Sequence, residues 1–235
     1  MQAVILAAGR GTRMGGLTES APKGLLRVAK KTLLEYEFDS LPEEVDEIIL
    51  VVGYRGDMIR EHFGSEYRGK RIVYVEQEVL DGTAGALWRA KDILKNRFIV
   101  MMGDDLYSRN DISQCLSATN VWALLVQEIP KMGMKGKVES DALGNIIQVK
   151  EGNNGDQPGF VSKNLFVLDT RIFDCPLVPK AAGNEEYGLP QTAIAAATRL
   201  GLSFKAVTGE NWIQINGPED LKQAEGALKK TGLMA

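Results

Sequence analysis

The chain has 235 residues, a formal charge of −3, one histidine and two cysteines. That length allows one large or two small domains with a full core, and the mild acidity argues against general nucleic-acid binding, which needs a basic footprint. Cys115, Cys175 and His62 are too few and too scattered for a disulfide framework or a multi-histidine metal site. No apolar run is long enough to span a bilayer, and the N-terminus enters a strand without a basic region and cleavage site. A cytoplasmic protein with no nucleic-acid or membrane partner is expected.

Ala3-Val4-Ile5-Leu6 reads as a buried strand that stops in a loop of small residues, Ala7, Ala8, Gly9 and Gly11, with Gly15-Gly16 beyond. Thr32 to Leu41 reads as a helix, residues 47–52 as a strand covered on both faces, and residues 55–63 as a helix. A strand at 72–75, a helix at 83–95 and a strand at 98–102 follow. Beyond them come a strand at 121–127, a hairpin of 137–139 with 146–149, and a strand at 160–168. A helix at 190–200, a strand at 204–207 and a final helix opened by Pro218 complete the order. Gly152 to Gly159 is the one loose segment, either a mobile loop at a pocket mouth or a plain surface loop. The alternation predicts an α/β, Rossmann-like mixed and mainly parallel sheet flanked by helices. One domain is expected over 1–235, with a first half to about residue 120 and a second over 121–235.

Glycine lets backbone amides turn inward where a Cβ would block the approach. With Arg10 and Arg13 such amides make a positive concavity suited to phosphate, and Pro22-Lys23 follows within reach. The loop is not a P-loop, since no Gly-Lys-Ser/Thr closes it, and it lacks the last glycine of a dinucleotide fingerprint. Asp104 and Asp105 follow the strand at 98–102 through Gly103, at the strand end where ligands gather in parallel sheets. A carboxylate there suits Mg²⁺, which binds through few protein ligands plus substrate phosphates; adjacent acids at a strand end also simply start turns. Gln77 and Gly82-Thr83 precede a helix, where Thr83 is expected as the N-cap.

The run Leu6 to Met14, then Pro22-Lys23, resembles the signature loop of the NDP-sugar pyrophosphorylases, the sugar-phosphate nucleotidyltransferases. The resemblance extends through Gly103-Asp104-Asp105 and Trp212-Ile213-Gln214-Ile215-Asn216-Gly217-Pro218-Glu219-Asp220-Leu221, to about Ala227. It implies the nucleotide-diphospho-sugar transferase fold, with a nucleotide-binding half to about residue 120 and an acceptor-binding half over 121–235. It also implies an Mg²⁺-dependent reaction in which a sugar 1-phosphate attacks the α-phosphorus of an NTP and pyrophosphate leaves. Arg13 and Lys23 are then the catalytic residues. Leu6, Ala7, Ala8, Gly9, Gly11, Thr12, Gln77, Gly82 and Thr83 hold the nucleotide. Gln77 suits a pyrimidine, UTP or dTTP before CTP, because an amide both donates and accepts.

Asp104 and Asn216 are the implied metal ligands, and Asp105, Lys150, Asn164 and Glu186 the implied acceptor contacts. Two departures stand out. The family's late Asp falls on Gln214, which cannot supply an anionic ligand. The Glu of its Glu-Lys pair is absent before Lys150, where the segment reads Val149-Lys150-Glu151; a lysine there is as much a solvated strand end as a phosphate ligand. Alternatives are a cytidylyltransferase acting on phosphocholine or another non-sugar phosphate, and a nucleotide-sensing module without turnover. A glycosyltransferase is weaker, for Asp104-Asp105-Leu106 is not its Asp-x-Asp.

Overall fold

A computed structural model describes residues 1–133, 135–150, 152–210 and 212–231. Strand β1 (Gln2–Ala7) shows what the buried apolar run does. Side chains alternate across a strand. Val4 therefore joins one apolar layer with Leu87 and Ala193, while Ala3 and Ile5 join the other with Phe38 and Ile59. A strand buried on both faces sits at the centre of a sheet, and β1 does.

The short strands β2 (Arg27–Val28) and β3 (Lys31–Thr32) pair as a small ribbon ahead of helix α1 (Leu33–Ser40). Thr32 and Glu35 exchange side-chain and backbone bonds in a capping box that sets the start of α1. Strand β4 (Glu47–Val52), helix α2 (Gly56–Phe63), the two-residue β5 (Glu66–Tyr67) and β6 (Lys70–Glu76) follow. Helix α3 (Gly82–Trp88) is shorter than the expected 83–95. Beyond Trp88 the bonds tighten to the i−3 carbonyl, Ala90 N to Leu87 O and Ile93 N to Ala90 O, and the chain turns instead of continuing.

Strand β7 (Arg97–Met102) leads to β8 (Asp105–Tyr107) and helix α4 (Arg109–Ser117). Neither β8 nor α4 was expected from the sequence pattern; Ser108 caps α4 by accepting from Asp111 N. Strands β9 (Trp122–Ile129), β10 (Lys137–Ser140), β11 (Ile146–Lys150) and β12 (Gly159–Asp169), helix α5 (Leu189–Leu200) and strand β13 (Phe204–Thr208) form the second half. Strand β14 (Trp212–Gln214) and helix α6 (Pro218–Thr231) end the described chain.

One ten-stranded sheet runs through both halves, in the order β11-β10-β12-β7-β1-β4-β6-β5, with β9 on β12 and β13 on β9. The strands β7, β1, β4 and β6 are parallel. Strand β12 is antiparallel to β7, and the hairpin of β10 and β11 extends the sheet beyond it. The expected mixed, mainly parallel sheet is present, with antiparallel pairs through β12, β10, β11 and β9 in the second half and at the two-residue edge strand β5 in the first. No helix among the described residues is long and apolar enough to cross a membrane. Both cysteines are buried free thiols, and His62 is exposed.

The carboxyl ends of β1 and β7 close on each other at Gly103, whose N–H donates to Leu6 O at 2.9 Å. A Cβ built on Gly103 would lie 2.7 Å from Ala7 Cβ and 3.0 Å from Leu6 O, closer than atoms pack without displacement. Gly103→Ala should therefore cost about 1–3 kcal/mol, the usual penalty of overpacking. Urea unfolding of the variant checks this; an unchanged midpoint would refute the close approach.

Candidate active site

A cavity of about 820 Å³ opens at the carboxyl ends of β1 and β7. All nine expected nucleotide contacts, Leu6 to Ala8, Gly9, Gly11, Thr12, Gln77, Gly82 and Thr83, line it, as do Arg13 and Lys23. Gly11 takes φ +64, and a Cβ on it would press against Lys23 Cβ and Thr18 Cγ2 at 3.1 Å, so the loop folds down onto Lys23. Arg10 is exposed and lies outside the lining; Arg13 alone carries the loop's positive charge into the cavity.

Lys23 is buried. Its ammonium pairs with Asp104 Oδ2 at 2.5 Å and donates to the Ile215 carbonyl. Arg13 Nη1 donates to Asn216 Oδ1 at 3.1 Å. A short ladder brings Asp104 and Asn216 into one lining: β8 pairs antiparallel with β14, Asp105 opposite Gln214, so Asp104 just before β8 comes near the Ile215-Asn216 segment just after β14. Asp220 holds this loop by accepting from Asn216 N at 2.7 Å and Gly217 N at 2.8 Å. That is a physical reason for the Pro-Glu-Asp run at the start of α6. Gln214 lines the cavity too, as an uncharged oxygen donor.

Gln77 is buried, and its Nε2 donates to Asp81 Oδ1 at 2.9 Å and Gly82 O at 3.2 Å. Both neighbours are acceptors, so the amide nitrogen is spoken for and the oxygen is what Gln77 has left to offer a ligand. This corrects the expectation that the amide both donates and accepts toward a base. Thr83 is not the helix cap either: its hydroxyl accepts from Leu189 N at 3.0 Å and ties α3 to α5.

The acceptor end differs more from expectation. Asn164 and Glu186 line the cavity, but Asp105 and Lys150 do not. Asp105 is only 3% exposed, beneath the floor, where burial and the adjacent Asp104 push its carboxyl well above the usual range. The Trp212 indole N–H faces it without completing a hydrogen bond. Lys150 is exposed at the end of β11, where the alternation that turns Val149 to the cavity turns Lys150 away; Glu151 lies outside the described residues. Residues 152–159 also stay out of the lining and bond to the 132–133 segment, as a plain surface loop does. Besides Lys23, the lysines that line the cavity are Lys135, Lys163 and Lys180, none of which the motifs pointed to.

A family model described as nucleotidyl transferase matches residues 2–188. The chain is 31% identical to the UTP–glucose-1-phosphate uridylyltransferase AglF of Haloferax volcanii, over 98% of this chain and 97% of that one. It is 30% identical to the bifunctional protein GlmU of Methanocaldococcus jannaschii over 74% of this chain, and spans 41% of that longer protein. The solved structure of a Bacillus anthracis protein titled a putative glucose-1-phosphate thymidylyltransferase superposes with a TM-score of 0.80 at 22% identity, covering 96% of this chain and 94% of that one, which shows the shared fold. The chain belongs to the nucleotidyltransferase family, among its sugar-phosphate enzymes.

Behind the floor, α1 turns Glu37 inward. Glu37 is 0% exposed and neither carboxyl oxygen has a partner among the described residues. Burial first, then the nearby Asp104 and Asp105, push it well above the usual carboxylate range, against the pull of Lys23. Below pH 4.5 Glu37 is neutral whether the chain is folded or not. Above that, the unfolded chain loses a proton the folded chain keeps, so folding weakens as pH rises through the window. Glu37→Gln removes this slope. In thermal denaturation without divalent cations, the variant should gain more over the parent at pH 8 than at pH 5; an equal gain at both would refute it.

Proposed function

We propose that the enzyme joins an NTP and a sugar 1-phosphate to give an NDP-sugar and pyrophosphate. The observation that carries this reading is the linked set Arg13–Asn216 and Lys23–Asp104 on the cavity wall under the glycine loop. The attacking oxygen belongs to a phosphate and is already anionic, so no general base is required. It attacks the α-phosphorus, the bond to the β-phosphate breaks, and the electron pair leaves with pyrophosphate. Catalysis is then positioning and charge neutralisation. Lys23, fixed at two of its N–H groups, directs the third at the α-phosphate, and Arg13 holds the β- and γ-phosphates. That these cations and Asp104 are all in place supports turnover over sensing.

The donors also fit a hard cation. Asp104 gives Oδ2 to Lys23 and keeps Oδ1 free among the described residues, while Asn216 adds an amide oxygen in the same wall. Asp104 and Asn216 would hold Mg²⁺, a cation that takes oxygen ligands and keeps sites for substrate phosphates. When bound it would supply positive charge against the phosphates. With its nitrogen occupied, Gln77 suits a base that presents an N–H to its oxygen, as uracil and thymine do; cytosine presents a lone pair there. Phosphocholine is a poor acceptor for this cavity, because lysines line it and the Lys163 ammonium already covers the Trp212 face that a choline would seek.

Pyrophosphate release, measured with Mg²⁺ across NTPs, dTTP and a panel of sugar 1-phosphates, tests the reading. Turnover with UTP or dTTP ahead of CTP is expected, and silence with every sugar phosphate would refute it. Lys23→Ala should lower kcat by about 10²–10³-fold, as loss of one transition-state donor does. A raised KM at unchanged kcat would remove Lys23 from that role.

A further inference from the structure

Lys163 is 1% exposed, yet its side chain borders the cavity. A bulge puts it there. Between Ser162, opposite Val126, and Phe166, opposite Leu124, strand β12 carries more residues than β9. Asn164 absorbs the bulge at φ +52, and Ser162 Oγ fixes it by accepting from Asn164 N at 3.1 Å. A bulge re-aims side chains beside active sites. The Lys163 carbonyl accepts from the buried Tyr107 hydroxyl at 2.8 Å, which pins the backbone from β8. The ammonium lies 3.3 Å from the centroid of the Trp212 ring.

That ammonium makes no hydrogen bond and no ion pair with any described residue. A buried charge with unused donors is costly unless an anion completes it. The groups facing it are Asp105 from β8, which attracts it from beyond ion-pair distance, and Lys135 from the 131–136 segment, which repels it. Lys135 and Lys163 both line the cavity, whereas Asp105 lies beneath the lining. Burial lowers the Lys163 ammonium to about 7, the mark of a charge held without its counter-ion. Arg13 and Lys23 are already committed to the triphosphate in the proposed reaction, so the anion that Lys163 lacks is assigned to the acceptor.

Building on the proposed reaction, we propose that Lys163, aimed by the β12 bulge and seated on Trp212, binds the phosphate of the acceptor, the role that Lys150 is too far outside the cavity to fill. Because Trp212 opens the strand that leads to Gln214 and Asn216, the same contact seats the acceptor against the wall that carries Asp104.

The test is calorimetric titration of inorganic phosphate into the full chain, with the nucleotide half first filled by the α,β-methylene analogue of the NTP that binds tightest. Lys163→Met keeps the stem on Trp212 and removes the charge. It should weaken phosphate binding by about 10- to 100-fold, as loss of a charged hydrogen bond does. Affinity for the analogue should stay within about twofold, which also reports that the variant is folded. Lys163→Arg should recover most of the binding, and Lys150→Met should match the parent. In turnover, Lys163→Met should raise the KM for the acceptor and leave that for the NTP. Undiminished phosphate binding in Lys163→Met, or a loss in Lys150→Met alone, would overturn the assignment. If no sugar 1-phosphate turns over but Lys163→Met still loses phosphate, the proposed reaction fails and the anion site at Lys163 stands.

Discussion

The Lys23 ammonium has to find oxygen inside the protein, and the way it does so ties three distant parts of the chain together. Its stem lies under Gly11 of the first loop, its charge meets Asp104 at the end of β7, and its second bond goes to the Ile215 carbonyl just past β14. Removing one partner of a buried ion pair is far costlier than the pair is worth, because the other charge is stranded. Asp104 is 39% exposed at its side chain, so the pair is anchored on the lysine side and open to a ligand on the acid side. An arrangement that holds one end and frees the other is what a site for anionic phosphates needs.

Much of the first half was legible in the sequence because its signals are local. A strand buried on both faces shows as an unbroken apolar run, and β1, β4 and β7 do. The glycine loop could be read because its spacing is tied to short-range backbone geometry: Leu6 to Gly9, Gly11, Thr12, Arg13 and Lys23 line the cavity, whereas Arg10, Gly15, Gly16 and Pro22 do not. Helix α3 was overextended because Ala90, Ile93 and Leu94 keep helical spacing while their backbone has already tightened into turns. Spacing reports which side chains are buried, not which carbonyl each amide meets.

The acceptor half was less legible, and for a related reason. Strand β8 has three residues and its partner β14 also three, too short for any periodicity, yet their pairing is what brings Asp104 and Asn216 to one wall. Lys150 carries the right residue type in nearly the right place, but side-chain direction alternates along a strand, and Val149 took the inward position. Lys163 sits in an apolar run, Phe160 to Leu168, where a lysine reads as an interruption. Only the positive φ at Asn164 reveals that the strand bulges and turns the lysine toward the cavity. An asparagine two residues after a serine in a strand is the one local hint, since both favour such irregular backbone.

Charge arrangement gives the floor of the cavity its character. Glu37, Asp104 and Asp105 gather around Lys23 and Lys163, three acids against two bases. The buried acids are pushed toward their neutral forms, because the low-dielectric interior will not hold several carboxylates together. Of these three acids Asp104 alone, paired with Lys23, lines the cavity. Lys23, Lys135, Lys163 and Lys180 therefore line the space an incoming phosphate would enter, although the floor beneath it is acid-rich. A mildly acidic protein can hold polyanionic substrates in this way: burial decides which carboxylates count, and the backbone decides which lysines face them.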